Sequence, residues 1–534
     1  MSTDMLRREA TGVAALVRFT LRRERWVLPW WLLGAAALLA MQSVSSQNFY
    51  DSPAKLAQLR STMSANAAIV AMGGPVRLLQ TVGGEIVFEI FAYLAIVVSL
   101  MNMFLIGRNT RSDEETGRTE LIRSARVGRR APVVAALCVA ALADVAVALL
   151  LAVTAAVTGL PVQGAVLIGV AIGGLGFTVA AATTVAAQVF ENPRSVYGAI
   201  SGLVAVAYVL RAVGDVGTDA VAWLSPIGWG QRTYPFVDDR WWPLLLFAAV
   251  SVALIAVGFA LAERRDFGAG LLRYRPGRDT ASRRLGSPIG LVWRLQRHSV
   301  FGWCLAAFVL GLAYGSFADS IEQFIADNPE IAAYLTGNAQ DAVNAYLAVT
   351  LSIIALLAAA AGVSAVLRAR SEEVSGRADL ILAAPVGRGR WLAGYLTVAM
   401  GGSAMVLIAG GSGDGLAYGL ATGDPMRIPH LAASALGHAP AVWAIVAVTA
   451  AVVGWMPHLA VAVSWLYFTY VVVAAIFTEA FELPRWFPRA SPLHYTDRLP
   501  LESFDPRTHL VLLALVAGAT GLAWMGCARR DLGD

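Results

Sequence analysis

The stretch Arg111–Arg130, RSDEETGRTELIRSARVGRR, returns later in the chain as Arg370–Gly389, RSEEVSGRADLILAAPVGRG. The two copies align without a gap at an offset of 259 positions, Arg111 falling on Arg370. They share Arg-Ser at the start, an acidic pair, Gly-Arg, an acidic residue followed by Leu-Ile, and Val-Gly-Arg near the end. Each copy is a polar island between long apolar runs. A charged segment that recurs at the same place in two hydrophobic halves predicts a duplicated architecture with the islands as its repeated working parts.

The apolar surroundings are too extensive for a soluble core. The chain of 534 residues is 57% hydrophobic and 14% charged, whereas a soluble domain carries about 25% charged residues. Surplus apolar sequence at this length, with a mean hydropathy of +0.63, means membrane spans. Working outward from the islands, six spans are predicted in the first half: Trp26–Ser46, Glu85–Gly107, Ala131–Leu160, Val162–Phe190, Ser195–Gly214 and Trp241–Ala262. Six follow in the second: Val300–Ala318, Ala342–Leu367, Trp391–Ala421, Pro429–Trp455, His458–Ala480 and Leu510–Cys527. Each has the ~20 apolar residues a bilayer core takes. The run from Trp26 is longer than the core of a cleaved signal peptide, so it reads as a retained span.

The chain restarts after residue 286. Leu291-Val-Trp-Arg-Leu-Gln-Arg297 resembles Leu16-Val-Arg-Phe-Thr-Leu-Arg-Arg23, and both suit an amphipathic helix lying on a membrane surface. The predicted fold is therefore all-α: an integral membrane protein of about 12 transmembrane helices, in two parallel six-helix pseudo-repeats with short cytoplasmic coupling helices. The halves are 1–286 and 287–534. Arginine placement orients them. Arg7, Arg8, Arg18, Arg22, Arg23 and Arg25 cluster at the start, seven arginines lie between Arg108 and Arg130, and the linker Glu263–Arg297 is arginine-rich. The segment Asp319–Asp341 between two spans has no Lys or Arg. This is the positive-inside pattern, with both termini cytoplasmic in the plasma (inner) membrane. It accounts for the pI near 9.2 without a nucleic-acid partner.

Within the islands, Ser112 and Ser371 are expected to cap a helix start, with the acidic residues just after each on its positive end. Ser112 and Glu115 fit a capping box. Leu121, Ile122 and Ala125, with Leu380, Ile381 and Ala384, give each helix an apolar patch that a partner groove could grip. The candidate docking residues are Asp113, Glu114, Gly117, Arg118, Leu121 and Ile122, with Glu372, Glu373, Gly376, Arg377, Leu380 and Ile381. The competing reading is a pair of solvated loops that echo a duplication. A phosphate-binding loop needs Gly-Lys before Ser or Thr. The chain's single lysine is Lys55, between Ala54 and Leu56. Any ATPase driving this membrane protein is then expected to be a separate chain, holding the ATP and Mg, with no cofactor in this one.

These motifs resemble those of the permease subunits of ABC-2-type exporters. The match is particularly to the long duplicated permeases of the polyketide and tetronasin-like antibiotic exporter family of actinobacteria. The acidic pair with Gly, the acidic-Leu step and Val-Gly-Arg carry the resemblance in both islands, and Ser225-Pro-Ile-Gly-Trp-Gly-Gln-Arg232 adds to it. The family's island has a proline before its Val-Gly-Arg-like end; Pro385 matches, and Arg126 stands there in the first copy. The resemblance implies a multidrug efflux permease without its own nucleotide-binding domain, served by two copies of an ABC ATPase. It implies outward movement of hydrophobic or amphipathic drugs along a path between the halves, lined by their first, second and fifth spans. Phe88, Phe91, Met101, Met103 and Phe104 on the second span, and Trp465, Tyr467, Phe468 and Tyr470 on the eleventh, are candidates for that path. Ordinary packing is the alternative for each.

Carboxyls inside spans are costly and often functional. Asp144, Glu89 and Asp414 could form a proton relay, which would make the protein a proton-coupled antiporter; otherwise they are hydrogen-bonded structural groups. Gly410-Gly-Ser-Gly-Asp-Gly415 suggests an irregular span. The six histidines show no metal-ligand spacing near a carboxylate, against a membrane-embedded enzyme. Cys138, Cys304 and Cys527 sit in or beside apolar runs and suit neither a disulfide framework nor a metal site.

Overall fold

A computed structural model describes residues 11–50, 52–65, 67–265, 270–272, 280–327, 339–476, 478 and 484–529. Arg7 and Arg8, and parts of Glu263–Arg297 and Asp319–Asp341, named above for topology, lie outside them. The described residues form helices, with one isolated bridge between Phe190 and Leu272 and no strand. The chain divides into two compact units, Met1–Gly277 and Arg278–Asp534.

In the first unit the principal helices are α1 (Val13–Glu24), α2 (Leu28–Phe49), α3 (Val82–Asn109), α4 (Ala131–Val157), α5 (Val162–Val189), α6 (Pro193–Val216) and α7 (Leu244–Arg264). Helices α3 and α5 are apolar all round and therefore central: 72% and 78% of their most apolar windows are buried, against 17% for α7. Glycine lets α5 reach its neighbour. A Cβ on Gly169 would stand 2.3 Å from the Ala148 carbonyl oxygen of α4. Asn192 caps α6, its side chain accepting from the Arg194 amide, which makes a tight turn at Asn192-Pro193-Arg194. Between α6 and α7 the backbone is strained: Tyr234, Phe236 and Asp239 are non-glycine residues in the left-handed region. The Phe236 ring fills the space a side chain would need at Gly83 of α3 and Gly164 of α5.

The second unit contains α8 (Pro288–Asp327), α9 (Ala339–Val374), α10 (Arg388–Thr422), α11 (Arg427–Leu436), α12 (Ala439–Trp455), α13 (Ala460–Ile476) and α14 (Pro506–Arg529). The amphipathic opening at Leu291 does not stand apart from the span that follows; α8 runs through both for 40 residues. In the first unit the corresponding helix stops at Glu24 and a new one starts at Leu28, because Pro29 in its first turn cannot continue the ladder. No proline follows Pro288 within α8.

The glycine run at 410–415 is not irregular. It lies inside α10, a single helix of 35 residues. The glycines are there because two helices touch its backbone. A Cβ on Gly311 of α8 would lie 2.1 Å from the Gly410 carbonyl oxygen, and one on Gly315 would lie 2.1 Å from that of Asp414. On another side, Gly411 and Gly415 face carbonyl oxygens of Leu431 and Arg427 in α11. Small residues four apart are the usual device for close approach in lipid. Gly311→Val should force α8 from α10 and lower the thermal midpoint by ~5 °C or more, while Gly302→Ala, with no atom near its Cβ, leaves it unchanged. Scanning fluorimetry of the detergent-solubilised chain checks this.

Among the described residues, eleven helices are long and apolar enough to cross a membrane, by length and composition. Of the remaining expected span, His458–Ala480, the described residues form the apolar helix Ala460–Ile476. Residues 477 and 479–483 lie outside the described set. The chain is thus a multi-pass membrane protein.

Candidate functional site

The first island begins as an extension of α3. After Asn109 a one-turn helix, Arg111–Glu115, continues in nearly the same course, then Gly117 turns the chain with φ 72° into the short helix Arg118–Arg123. The second island does the same: α9 runs on to Val374, Gly376 turns with φ 70°, and Arg377–Leu382 is helical. The predicted serine caps are therefore corrected. Ser112 and Ser371 lie within helical turns, the N-caps of the short helices are the two glycines, and no Ser112–Glu115 capping box forms. No atom stands within 4 Å of a Cβ placed on Gly117. The glycine is needed for its left-handed backbone and not for room.

This shift changes what the acids do. They sit at the C-terminal end of a long helix, where the macrodipole disfavours negative charge, and arginines neutralise them. Asp113, buried, takes both carboxylate bonds from Arg23 of α1 at 2.9 and 2.7 Å, with Arg118 at 3.6 Å. Glu114 is paired with Arg111 one turn earlier and with Arg265 at 2.6 Å. In the second unit Glu372, also buried, pairs with Arg377 at 2.6 Å and Arg368 at 3.7 Å, and Glu373 with Arg370 at 3.1 Å. Hydrogen bonding to Glu372 pushes the Arg377 guanidinium up from its ordinary value. At offset 259 the same two pairings recur: first acid to the arginine after the glycine, second acid to the arginine three residues back. Each island is thus tied rigidly to the end of its long helix.

The short helices carry a second recurrence. Leu121 is 76% exposed and Leu380 78% exposed, while Ile122 and Ile381 are half-buried beside them. Arg118 and Arg377 flank the leucines, also exposed. The turn that closes each island is the same despite Arg126 standing where the second copy has Pro385. Ala125 and Ala384 donate to Ile122 and Ile381 at 3.3 Å, and Val127 and Val386 donate to Ala125 and Ala384.

The candidate path residues are placed within each unit. Phe88, Phe91, Met101 and Met103 are buried inside the first unit; the rings of Phe88 and Phe91 occupy the space beside Gly73 and Gly230. Phe104 is half-buried between Trp31 and Tyr197. On α13, Trp465 meets Phe468 edge-on and Tyr467 stacks on Tyr470. The span carboxyls are kept separate. Asp144 accepts from Asn102 at 2.7 Å, Asp414 from Thr350 at 2.9 Å, and Glu89 from Gln42. No hydrogen-bond chain joins Asp144 to Glu89 among the described residues.

Sequence reasoning missed Arg23 and Arg265 as island partners, because charge pairing across 90 and 151 residues leaves no local pattern. It also missed the buried network of Arg211, Asp215 and Arg232, whose signal was four charges, Asp219 among them, from the end of one span to the segment before the next.

The family model for the multidrug efflux system permease Rv1217c, C-terminal domain, matches residues 14–261 and 285–527. The multidrug efflux system permease protein Rv1217c of Mycobacterium tuberculosis (strain ATCC 25618 / H37Rv) is 33% identical over 526 residues, covering 98% of this chain and 95% of that protein.

Proposed function

The chain belongs to the multidrug efflux permease family, and from that premise we propose that it is the membrane permease of an ATP-driven, ABC-2-type exporter. Two copies of a separate ABC ATPase, holding ATP and Mg, drive it. The cargo is hydrophobic or amphipathic drugs, polyketide antibiotics among them, moved outward across the plasma membrane. The two islands are the cytoplasmic coupling helices of two six-helix pseudo-repeats, 1–286 and 287–534, and both termini are cytoplasmic.

The observation that carries this reading is one arrangement found twice. A neutralised acid pair, a left-handed glycine and an outward leucine recur at 113–121 and 372–380. An exposed apolar side chain on a rigidly held helix suits a partner's groove. Ion pairs that fix the helix to a span give a pull on it somewhere to go. The match of the family model to two blocks of the chain supports the duplicated plan.

The test is reconstitution with a candidate ABC ATPase, sought first in the neighbouring reading frame. The two should copurify, and drug should stimulate ATP hydrolysis several-fold. Drug uptake into inverted vesicles should continue when a proton ionophore is added at constant ATP. Collapse of uptake under the ionophore, with hydrolysis unchanged, would overturn the reading in favour of proton-coupled antiport.

A further inference from the structure

The first turn of α3 places Glu85 and Glu89 one turn apart beside α2. Glu85 is fully buried, and neither of its carboxyl oxygens has a hydrogen-bond partner. Glu89 is half-buried and accepts from Gln42, whose amide also reaches Ser46 at 3.0 Å. Tyr50 closes the group. Its hydroxyl is pushed up to about 12 by burial and then by the charges of Glu85 and Glu89. Neither carboxyl has an arginine, lysine or histidine in an ion pair among the described residues. At offset 259 the second half has Asn344 and Ala348 instead, so the arrangement belongs to the first unit alone.

Two carboxyls without a counter-charge are costly away from water, and a cation would offset that cost. The same face of α3 continues as an apolar stripe. Tyr93 is 53% exposed, and Val97, Leu100 and Phe104 are half-buried; they follow Glu89 at helical spacing. Phe49, 71% exposed, lies edge-on to Tyr50 at 5.4 Å. The head carries two carboxyls, the wall is apolar and aromatic, and aromatic rings add their own attraction for a cation at close range. No third acid, histidine or cysteine joins the two glutamates among the described residues, so a multidentate metal site is not what this is.

We propose that Glu85 and Glu89, with the Tyr93–Val97–Leu100 stripe, form a subsite for an amphipathic organic cation. The carboxyls hold the charged head and the stripe holds the body. This rests on the multidrug permease reading and narrows its substrate class. It gives the first unit a drug-contacting role that the second does not share.

The experiment is equilibrium binding of ethidium, a cation, and Nile red, which is uncharged, to the purified full chain in a maltoside detergent free of amine lipids. Glu89→Gln should weaken ethidium roughly ten-fold, Glu85→Gln similarly, and both should leave Nile red unchanged. Tyr93→Ala should weaken both dyes. Ethidium affinity within two-fold of wild type in Glu89→Gln overturns the proposal, as does equal loss of Nile red. Glu89 is half-exposed, so its variant decides the matter even where Glu85→Gln fails to fold. No ATPase or ATP is present. Failure here leaves the exporter reading standing, and failure of the export assay leaves binding standing.

Discussion

Leu121→Asp combined with Leu380→Asp abolishes ATP-driven drug transport, by at least about ten-fold, while the thermal midpoint of the permease stays within ~2 °C of wild type. Both side chains are about three-quarters exposed, so their loss removes little from either core. Exposed substitutions of this kind change stability by roughly 0.5 kcal/mol or less. In an ATPase groove, by contrast, an aspartate would be buried without a partner. The measurement is drug-stimulated ATP hydrolysis by the copurified complex, with the permease midpoint read alongside. Glu114→Lys with Glu373→Lys gives the contrasting case. Glu114 lies between Arg111 and Arg265, and a third cation there would unfasten the island from α3 as well as stop transport. Full-strength pumping by both double variants, with the assembly intact, would show that the islands carry no force.

Arg232→Ala should cost ~3–5 kcal/mol, the usual penalty for stranding a buried charge. Arg232 is 1% exposed and pairs with Asp219 and, at 3.0 Å, with Asp215, whose side chain is fully buried. Arg211 would remain as the only ion-pair partner of Asp215 among the described residues, at 3.4 Å. It already donates to the Met72 carbonyl at 3.1 Å, which Tyr208 also reaches. The network therefore holds α6, the segment before α3 and the segment after α6 in one piece. A drop in midpoint on the order of 10 °C corresponds to this cost in a unit of this size. Arg232→Ala with Asp215→Ala should not recover it, since Arg211, itself fully buried, then loses its ion-pair partner. A single-variant shift under ~2 °C would show the network to be hydrated and unimportant to stability.

How far the sequence reached depends on the range of the physics involved. Spans such as Ala131–Val157 and Val162–Val189 were legible almost to the residue, because hydropathy and length are local quantities. The islands were legible because duplication made them visible twice. Their capping was misread because Ser112 is a good cap by chemistry, yet α3 had no reason to stop before it. Gly117 stops it instead, through its backbone alone. Likewise the glycines at 410–415 read as an irregular part of a span because sequence shows only their flexibility. Their purpose is the carbonyls of α8 and α11 lying against them.

From its residues alone this protein was determined to be a multi-pass helical membrane protein with two charged islands at matching positions, since apolar length and repetition are written along the chain. Only tertiary structure decided which face of each helix is covered. It turned Phe88 and Phe91 of α3 into the core and left Glu89 and Tyr93 half-open. It also set Arg23 and Arg265 upon acids far away in sequence. An all-apolar helix has no amphipathic period to reveal its buried side, and an ion pair across a fold is fixed by packing, not by spacing.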